Sequence, residues 1–220
     1  MQKPYELLVF DWDGTLMDSE SRIVNCMRAA ITDLGLELPN DSSISNIIGL
    51  GLKEAICVLF QGADETLVKE VTDRYRHHFL HENTTPTPLF TGAEELLHRL
   101  RSEGYLLAVA TGKGRPGLNR VLSHSGLDQV FHTTRCADDA FSKPHPDMLL
   151  QILDELGVNA SDTLMIGDTE YDMQMANSAG TAALAVSYGV HSMERLLQHE
   201  PLDCLDTISE VSDWLSNRAP

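Results

Sequence analysis

Four short apolar segments limit the possible folds of this 220-residue chain more than any other feature of its sequence. None of them alternates with polar residues, as a strand with one face in water would. Strands that are apolar on both faces are typical of parallel sheets covered by helices on each side. Buried parallel strands are therefore predicted at Leu7–Phe10, Leu106–Ala110, Leu164–Ile166 and Ala182–Val186.

Helical patterns separate these predicted strands. Apolar residues recur every three or four positions after a candidate cap at Asp18-Ser19, over Ala93–Arg101, after Pro146 and over Asp172–Ala179. Each pattern ends close to a glycine, which is a common helix terminator. The alternation of strands and helices predicts an α/β fold with a parallel sheet.

A long helical insertion separates the first two predicted strands. Helical patterns occur at about 18–35, 52–60 and 64–82 without a convincing strand between them, and the proline-rich segment that follows is typical of an extended connector. We therefore predict a helical domain of residues 17–88 inserted into an α/β core domain of residues 1–16 and 89–220.

The composition argues against several classes of partner. The 16 basic and 33 acidic residues give a formal net charge of −17, which opposes binding to nucleic acid or to an anionic membrane. The first apolar segment is too short for a signal peptide, and no segment approaches the roughly 20 apolar residues of a membrane span. A cytoplasmic protein, monomeric or homodimeric, is expected. Its dispersed cysteines are expected to be buried free thiols: Cys26, Cys57, Cys136 and Cys204.

Polar residues cluster after three of the four predicted strands. Ligands of open parallel sheets bind beyond the carboxyl ends of the strands. Those positions hold Asp11–Thr15, Thr111–Lys113 and Gly167–Asp172, and Ser142-Lys143-Pro144 precedes a predicted helix. The sequence thus predicts one site built from four separate segments.

Two pairs of aspartates in this site favour a divalent cation. Asp11 and Asp13 point to the same side of an extended chain, and Asp168 and Asp172 are one helical turn apart. Carboxylates that converge repel one another unless a cation or a proton lies between them. An all-oxygen site suits Mg²⁺.

The same site offers groups for a phosphoryl anion. The ammonium of Lys143 and the hydroxyl of Thr111 are suited to bind phosphoryl oxygens, and backbone amides near Trp12, Gly112 and Lys113 can contribute. Because the mean charge of the chain repels anions, such local donors are required.

These motifs resemble those of the haloacid dehalogenase-like superfamily. They read here as Asp11–Leu16, Thr111-Gly112, Lys143-Pro144 and Gly167–Asp172. Their spacing and the size of the insertion are most similar to the phosphoglycolate phosphatase branch. The resemblance implies a Rossmann-like parallel sheet core with an inserted α-helical cap domain that determines substrate specificity.

The resemblance also implies a Mg²⁺-dependent phosphatase that hydrolyses a small phosphomonoester, a phosphorylated metabolite such as 2-phosphoglycolate. Asp11 would attack phosphorus and form an aspartyl-phosphate, with Asp13 as acid and base. The implied metal ligands are the Asp11 carboxylate, the Asp13 carbonyl and Asp168. The implied catalytic or phosphate-binding and supporting residues beyond the two aspartates are Thr111, Gly112, Lys143 and Asp172.

Alternatives within and outside this family stay open. The presence of Asp13 favours phosphate-ester chemistry over cleavage of carbon–halogen or carbon–phosphorus bonds, but a sugar-phosphate mutase like β-phosphoglucomutase uses both aspartates. A catalytically weak regulatory member and a phospho-acceptor receiver are further alternatives, although a receiver carries no helical insertion of this size. Steady turnover of a phosphoester would separate an enzyme from both.

Candidate specificity residues lie in the insertion and beside Thr111. A substrate carboxylate could be bound by one of four cations: Arg22, Lys53, Lys113 and Arg115. His77, His78 and His81 lie on one predicted helix, where a solvated face is favoured over a metal site because no third ligand is evident nearby.

Overall fold

The structure, a computed structural model, describes residues 3–218. Its centre is one parallel sheet of six strands in the order β3-β2-β1-β4-β5-β6. The strands are β1 (Leu7–Phe10), β2 (Leu106–Ala110), β3 (Thr133–Arg135), β4 (Thr163–Gly167), β5 (Ala182–Val186) and β6 (Cys204–Leu205). The predicted α/β fold with a parallel sheet is confirmed.

Ten α-helices surround or extend this sheet in the described residues. They are α1 (Glu20–Asp33), α2 (Asp41–Ser45), α3 (Leu52–Leu59), α4 (Glu65–His77), α5 (Ala93–Ser102), α6 (Arg115–Ser125), α7 (Asp147–Leu156), α8 (Glu170–Ala179), α9 (Met193–Leu197) and α10 (Glu210–Ser216). A π-helical turn, His78–Glu82, continues α4, and a 3₁₀ turn, Ala160–Asp162, precedes β4.

The strands are apolar throughout because both faces of the sheet are buried. On β1, Leu8 and Phe10 pack into one apolar cluster, while Leu7 and Val9 pack into the cluster on the opposite face. All four side chains are fully buried. The sequence patterns missed β3 and β6, since edge strands of two or three residues, one of them Thr-Thr-Arg, carry no apolar run.

The helical insertion has an apolar cluster of its own. The buried members of this cluster run from Ile23 to Val71, and α1, α3 and α4 pack around it. The two connections to the sheet lie side by side, because Asp18 N–H donates to the Pro88 carbonyl and Phe90 N–H to the Leu16 carbonyl, each at 2.9 Å. This is the predicted inserted cap.

The exact domain boundaries at residues 16/17 and 88/89 stay a prediction, and residues 1–2 and 219–220 of the predicted core domain lie outside the described residues. The four cysteines are free thiols, as expected, but only Cys26 and Cys136 are buried. The expectation of burial is wrong for Cys57, which is exposed, and for Cys204, which is partly exposed. Within residues 3–218, no helix combines the length and the apolar character that crossing a membrane requires.

Candidate active site

The central strand of the sheet leads directly into the predicted site. Asp11 follows β1, and its backbone N–H donates to the Ile166 carbonyl on β4 (2.9 Å). The chain then turns at Gly14, whose φ of +86° is a left-handed conformation that favours glycine. A Cβ on residue 14 would collide with the carboxylate of Asp168. Glycine at this position therefore allows two distant motifs to meet.

Four charged side chains meet in the interior and form what we call the buried charge cluster: Asp11, Lys143, Asp168 and Asp172. Each is at most 1% exposed. Nζ of Lys143 lies 2.6 Å from Oδ1 of Asp11 and 2.6 Å from Oδ1 of Asp172. Three carboxylates and one ammonium leave two excess negative charges when all four groups are ionised.

Burial and mutual repulsion shift the pKa values in this cluster. Desolvation raises the pKa of Asp11 well above its usual range, Lys143 opposes this rise, and Asp172 adds to it. Desolvation, followed by the charge of Asp172, raises the pKa of Asp168 to about 7. For Lys143, desolvation acts to lower the pKa, but Asp11 and Asp172 outweigh it and raise the value. The Lys143 ammonium therefore stays charged, but its single positive charge does not balance the three carboxylates of the cluster.

Neighbouring donors fix the orientation of two carboxylates. The Thr15 hydroxyl donates to Oδ1 of Asp168 (2.7 Å), and Val190 N–H donates to Oδ2 (2.9 Å). Thr169 donates its N–H (3.0 Å) and its hydroxyl (2.7 Å) to Oδ2 of Asp172, which forms a capping box at the start of α8. Sequence reasoning missed Val190, for which no local signal exists.

The carboxylates of the buried charge cluster fit a hard divalent cation. One oxygen each from Asp11, Asp168 and Asp172 lies within 4.8 Å of the others. Oδ2 of Asp11 is buried, and no hydrogen-bond donor reaches it within residues 3–218. An all-oxygen donor set of this kind suits Mg²⁺. The set contains the side chain of Asp172, whereas the predicted ligand role of the Asp13 carbonyl stays a prediction.

The side chain of Asp13 lies outside this set of carboxylates and contacts two other residues. The Ser19 hydroxyl donates to Oδ1 of Asp13 (2.6 Å), and Nζ of Lys113 lies 2.9 Å from the same oxygen. The expectation that Ser19 caps α1 is wrong, because its hydroxyl bonds to Asp13 and makes no capping bond. The Lys113 ammonium also lies 4.9 Å from the ring centroid of Phe79, on the turn that follows α4.

A cavity of about 520 Å³, which we call the chamber, lies between the insertion and the carboxyl edge of the sheet. Four predicted site residues form its floor: Asp11, Asp13, Thr111 and Gly112. The other three do not line the chamber and belong to the buried charge cluster: Lys143, Asp168 and Asp172. The structure therefore brings all seven predicted residues to one place, in two layers that share Asp11.

Side chains of the insertion form the opposite side of the chamber. We call six of them the cap wall: Ile23, Met27, Ile47, Ile48, Tyr75 and Phe79. The rings of Tyr75 and Phe79 stack, with their centroids 5.7 Å apart and an interplanar angle of 27°. Apolar and aromatic groups thus face the charged floor.

Direct contacts hold the insertion against the core. A Cβ on Gly112 would collide with the carbonyl of Leu50, so the two backbones touch at this point. Gly51 N–H donates to the Ser142 hydroxyl (2.7 Å), and the Tyr171 hydroxyl donates to the Asn46 carbonyl (3.0 Å). The chamber is therefore closed on the side of residues 46–51.

Two of the four candidate cations do not line the chamber. Arg22, on α1, donates to the Phe79 carbonyl (2.7 Å) and so connects α1 to the turn that follows α4. Arg115 donates to the Thr134 hydroxyl (2.7 Å) and pairs with Asp139. Both guanidinium groups have structural partners, which removes the reason to expect them at a substrate.

Lys53 and Lys113 do line the chamber, together with Arg76, which sequence reasoning missed. A signal was available, since Thr72, Tyr75, Arg76 and Phe79 share one helical face by their spacing and all line the chamber. Of the predicted histidines, His78 contacts Asp33 (2.9 Å), and both His78 and His77 contact Glu82 (2.6 and 2.9 Å).

The fold and the two layers of the site define an α/β enzyme with a capped cleft, whose chemical groups are carboxylates and a lysine. Residues 8–186 match the family model described as haloacid dehalogenase-like hydrolase. The chain belongs to this family.

Curated relatives agree with this assignment. The protein named "Probable phosphatase IndB" of Dickeya dadantii is 37% identical over 93% of this chain and 91% of its own length. A phosphoglycolate phosphatase of Colwellia psychrerythraea is 29% identical (94% and 95% covered), and a 5'-nucleotidase of Pseudomonas aeruginosa is 30% identical (90% and 89%). The phosphoglycolate phosphatase-like branch and the class of phosphomonoester hydrolase are confirmed.

A solved structure gives the same result for the fold. A hydrolase from Pseudomonas syringae superposes with a TM-score of 0.89, over 99% of this chain and all of that chain, at 22% identity. The similarity extends to the helical insertion as well as the sheet, which confirms the α/β core with an inserted helical cap.

Proposed function

We propose that this chain hydrolyses a small phosphomonoester in a Mg²⁺-dependent reaction, through an aspartyl-phosphate on Asp11. The observation that carries the proposal is the position of Asp11, which belongs both to the chamber floor and to the buried charge cluster. A carboxylate held 2.6 Å from a buried ammonium is fixed in orientation while one of its oxygens accepts no hydrogen bond. Such an oxygen is available for attack or for metal binding.

In the first half-reaction, an oxygen of Asp11 attacks phosphorus in line with the leaving alkoxide. The P–O bond to the alcohol breaks, and Asp13, in its acid form, donates a proton to the departing oxygen. Thr111 and Lys143 bind phosphoryl oxygens, with the amide of Gly112 as an additional donor. The products of this step are an alcohol and an enzyme that carries the phosphoryl group on Asp11 as an acyl phosphate.

In the second half-reaction, the Asp13 carboxylate takes a proton from water, which attacks the phosphorus of the aspartyl-phosphate. Inorganic phosphate leaves, and Asp11 and the acid form of Asp13 are restored, so the protons balance over the cycle. Asp172 supports the reaction by orienting Lys143, from which it lies 2.6 Å.

Asp11 and Asp168, with the carbonyl of Asp13, would hold Mg²⁺, and Asp172 is close enough to join them. The ion supplies positive charge that reduces repulsion between an anionic nucleophile and an anionic phosphate. This role is consistent with the excess negative charge and the raised pKa values of the buried charge cluster.

Lys113 and Ser19 are positioning residues for Asp13 in this proposal. Both bind Oδ1 of Asp13, which leaves Oδ2 for the substrate or for water. A carboxylate held through one oxygen keeps the other in a constant direction, which general acid–base catalysis requires.

Similarity to phosphoglycolate phosphatases supports 2-phosphoglycolate as a candidate substrate. A mutase that transfers phosphate between positions of a sugar would use the same two aspartates. Release of inorganic phosphate from the substrate, rather than formation of an isomeric sugar phosphate, separates the two.

The test is phosphate release from a panel of phosphomonoesters, including 2-phosphoglycolate, a hexose 1-phosphate and nucleoside monophosphates, with Mg²⁺ or with EDTA. We expect kcat/KM of about 10⁴ M⁻¹s⁻¹ or more for the preferred substrate, no activity in EDTA, and none in Asp11→Asn. Acid quench of Asp13→Asn with ³²P-labelled substrate should trap protein-bound phosphate that hydroxylamine releases. Full turnover by Asp11→Asn would contradict the mechanism.

A further inference from the structure

We propose that the chamber selects phosphomonoesters whose leaving group carries a ring or an apolar body of similar size, in preference to a two-carbon acid. The inference rests on the proposed phosphatase function and names its substrate class. It follows from the size of the chamber, the chemistry of the cap wall and the partners of the surrounding cations.

The chamber is larger than the phosphate end of a substrate requires. Its volume of about 520 Å³ lies within the range of roughly 300–1,000 Å³ that is typical of sites for drug-sized molecules. A phosphoryl group bound at Asp11 and Thr111 occupies the floor. A leaving group of only two carbons would leave most of the remaining volume to water against an apolar surface, which is unfavourable.

This volume does not arise from a cap that stands away from the core. The backbones at Leu50 and Gly112 are in contact, and Gly51 N–H bonds to the Ser142 hydroxyl. Near the floor, the Lys113 ammonium contacts the Phe79 ring. The chamber therefore keeps its volume although the cap touches the core on two sides.

The cap wall is apolar, although the insertion also contributes the charged residues Lys53, Glu54 and Arg76 to the lining of the chamber. Four of its six residues are aliphatic or thioether side chains, and the other two are the stacked rings of Tyr75 and Phe79. Burial, with Asp13 as a further cause, raises the pKa of Tyr75 well above its usual value, so the phenol stays neutral. Flat, apolar groups of a substrate can pack against such rings with a gain beyond simple burial.

The cations near the chamber either have partners or are exposed. Arg22 and Arg115 have partners elsewhere, and the ammonium of Lys113 pairs with Asp13. Lys53 and Arg76 are exposed, and the acidic Glu54 and Asp138 line the same chamber. A carboxylate placed among the side chains of the cap wall would lose contact with water without meeting an unpaired buried cation of residues 3–218, which is unfavourable.

Two matched substrates test this proposal. 3-Phenylpropyl phosphate and n-propyl phosphate release primary alcohols of similar acidity, so their intrinsic reactivity is similar and the ring is the main difference. We expect kcat/KM to be about 10- to 100-fold higher for the phenylpropyl ester, as burial of one aromatic ring predicts. 2-Phosphoglycolate should be hydrolysed less efficiently than 3-phenylpropyl phosphate.

Variants locate the effect in the chamber. Phe79→Ala should reduce kcat/KM for the phenylpropyl ester about tenfold more than for the propyl ester. Phe141→Ala is the matched control, because this ring is 69% exposed and does not line the chamber, and it should change neither value. If Phe79→Ala fails to fold, Leu80→Lys is the second variant. It adds a cation to the chamber lining and should shift preference towards 2-phosphoglycolate.

The outcomes separate the two proposals. Equal kcat/KM for the two alkyl esters, or a preference for 2-phosphoglycolate over both, overturns the substrate class while the phosphatase mechanism stands, provided that Asp11→Asn is inactive. Absence of phosphate release from every ester overturns the proposed function and the substrate class with it.

Discussion

The buried charge cluster, which reaches the chamber only through Asp11, and the cap wall, which lines it, are held together in different ways. In the cluster, every side chain depends on the others, since Lys143 lies 2.6 Å from two carboxylates and all four groups are buried. In the cap wall, side chains contribute apolar area that is shared among many neighbours. Removing one charge leaves others unpaired, whereas replacing one apolar residue costs only area and packing.

This difference indicates how one fold can keep its chemistry and vary its substrates. Asp11, Lys143 and Asp168 come from three separate motifs, so a substitution in one motif cannot be compensated by residues next to it in sequence. The cap wall comes from one continuous insertion with its own apolar cluster. We therefore expect changes in the cluster to affect stability and turnover for all substrates, and changes in the wall to affect discrimination among substrates.

The largest effect is expected for Lys143→Met, which removes the only positive charge of the cluster. Breaking a buried ion pair costs about 3–5 kcal/mol, which for a chain of this size lowers Tm by roughly 10 °C. Calorimetry in EDTA measures the change, with Lys53→Met, at an exposed position, as the matched control. Equal Tm values for the two variants would show that the buried charge cluster is no more sensitive to the loss of one charge than the chamber lining is.

The next largest effect is expected for Asp13→Asn. Loss of a general acid and base reduces kcat by about 10²–10⁴-fold, for every phosphomonoester and independently of the leaving group's size. Stopped-flow and steady-state phosphate assays should show that the first attack on 4-nitrophenyl phosphate persists while multiple turnover is lost. Wild-type turnover would exclude Asp13 from this role.

Lys113→Met tests whether Lys113, which lies between the chamber floor and the cap, assists catalysis by positioning Asp13. If Lys113 positions Asp13, alkyl phosphates, whose leaving groups need a proton, should lose about 10-fold or more in kcat. 4-Nitrophenyl phosphate, whose leaving group needs none, should lose little, and Lys113→Arg should recover part of the activity. A rise in KM alone, for one substrate only, would instead assign Lys113 to substrate binding.

The smallest effect is expected for Gly112→Ala. Its Cβ would collide with the Leu50 carbonyl, so the loop before α3 must shift, at a cost of about 1–3 kcal/mol. Chemical denaturation measures this cost, and Gly114→Ala, whose nearest contact would be 3.3 Å away, is the control. Indistinguishable stabilities would show that the cap does not rest on Gly112.

Most of the fold could be predicted because its signals are local. The four long strands are apolar on both faces, and glycines follow α7 and α8 directly in left-handed conformations. The strand β3, with the sequence Thr-Thr-Arg, could not be predicted, because it forms only where β2 offers a free edge. The helix α6 was also missed, since its weakly amphipathic sequence begins Arg-Pro-Gly.

The candidate site divides in the same way. The residues alone predict which motifs lie at the carboxyl edge of the sheet, because the end of a buried strand is visible in them and ligands bind there in parallel sheets. They also predict that converging aspartates need positive charge, since that follows from the number and spacing of the aspartates.

The pairing of individual charged groups depends on the packing of distant elements. Lys143 pairs with Asp11 and Asp172, Lys113 with Asp13, and Arg22 points to a backbone carbonyl of the cap instead of a substrate. Sequence spacing orients side chains within one helix or strand but carries no information about elements a hundred residues apart. Their relation depends on the order of the strands and on how the cap packs against them.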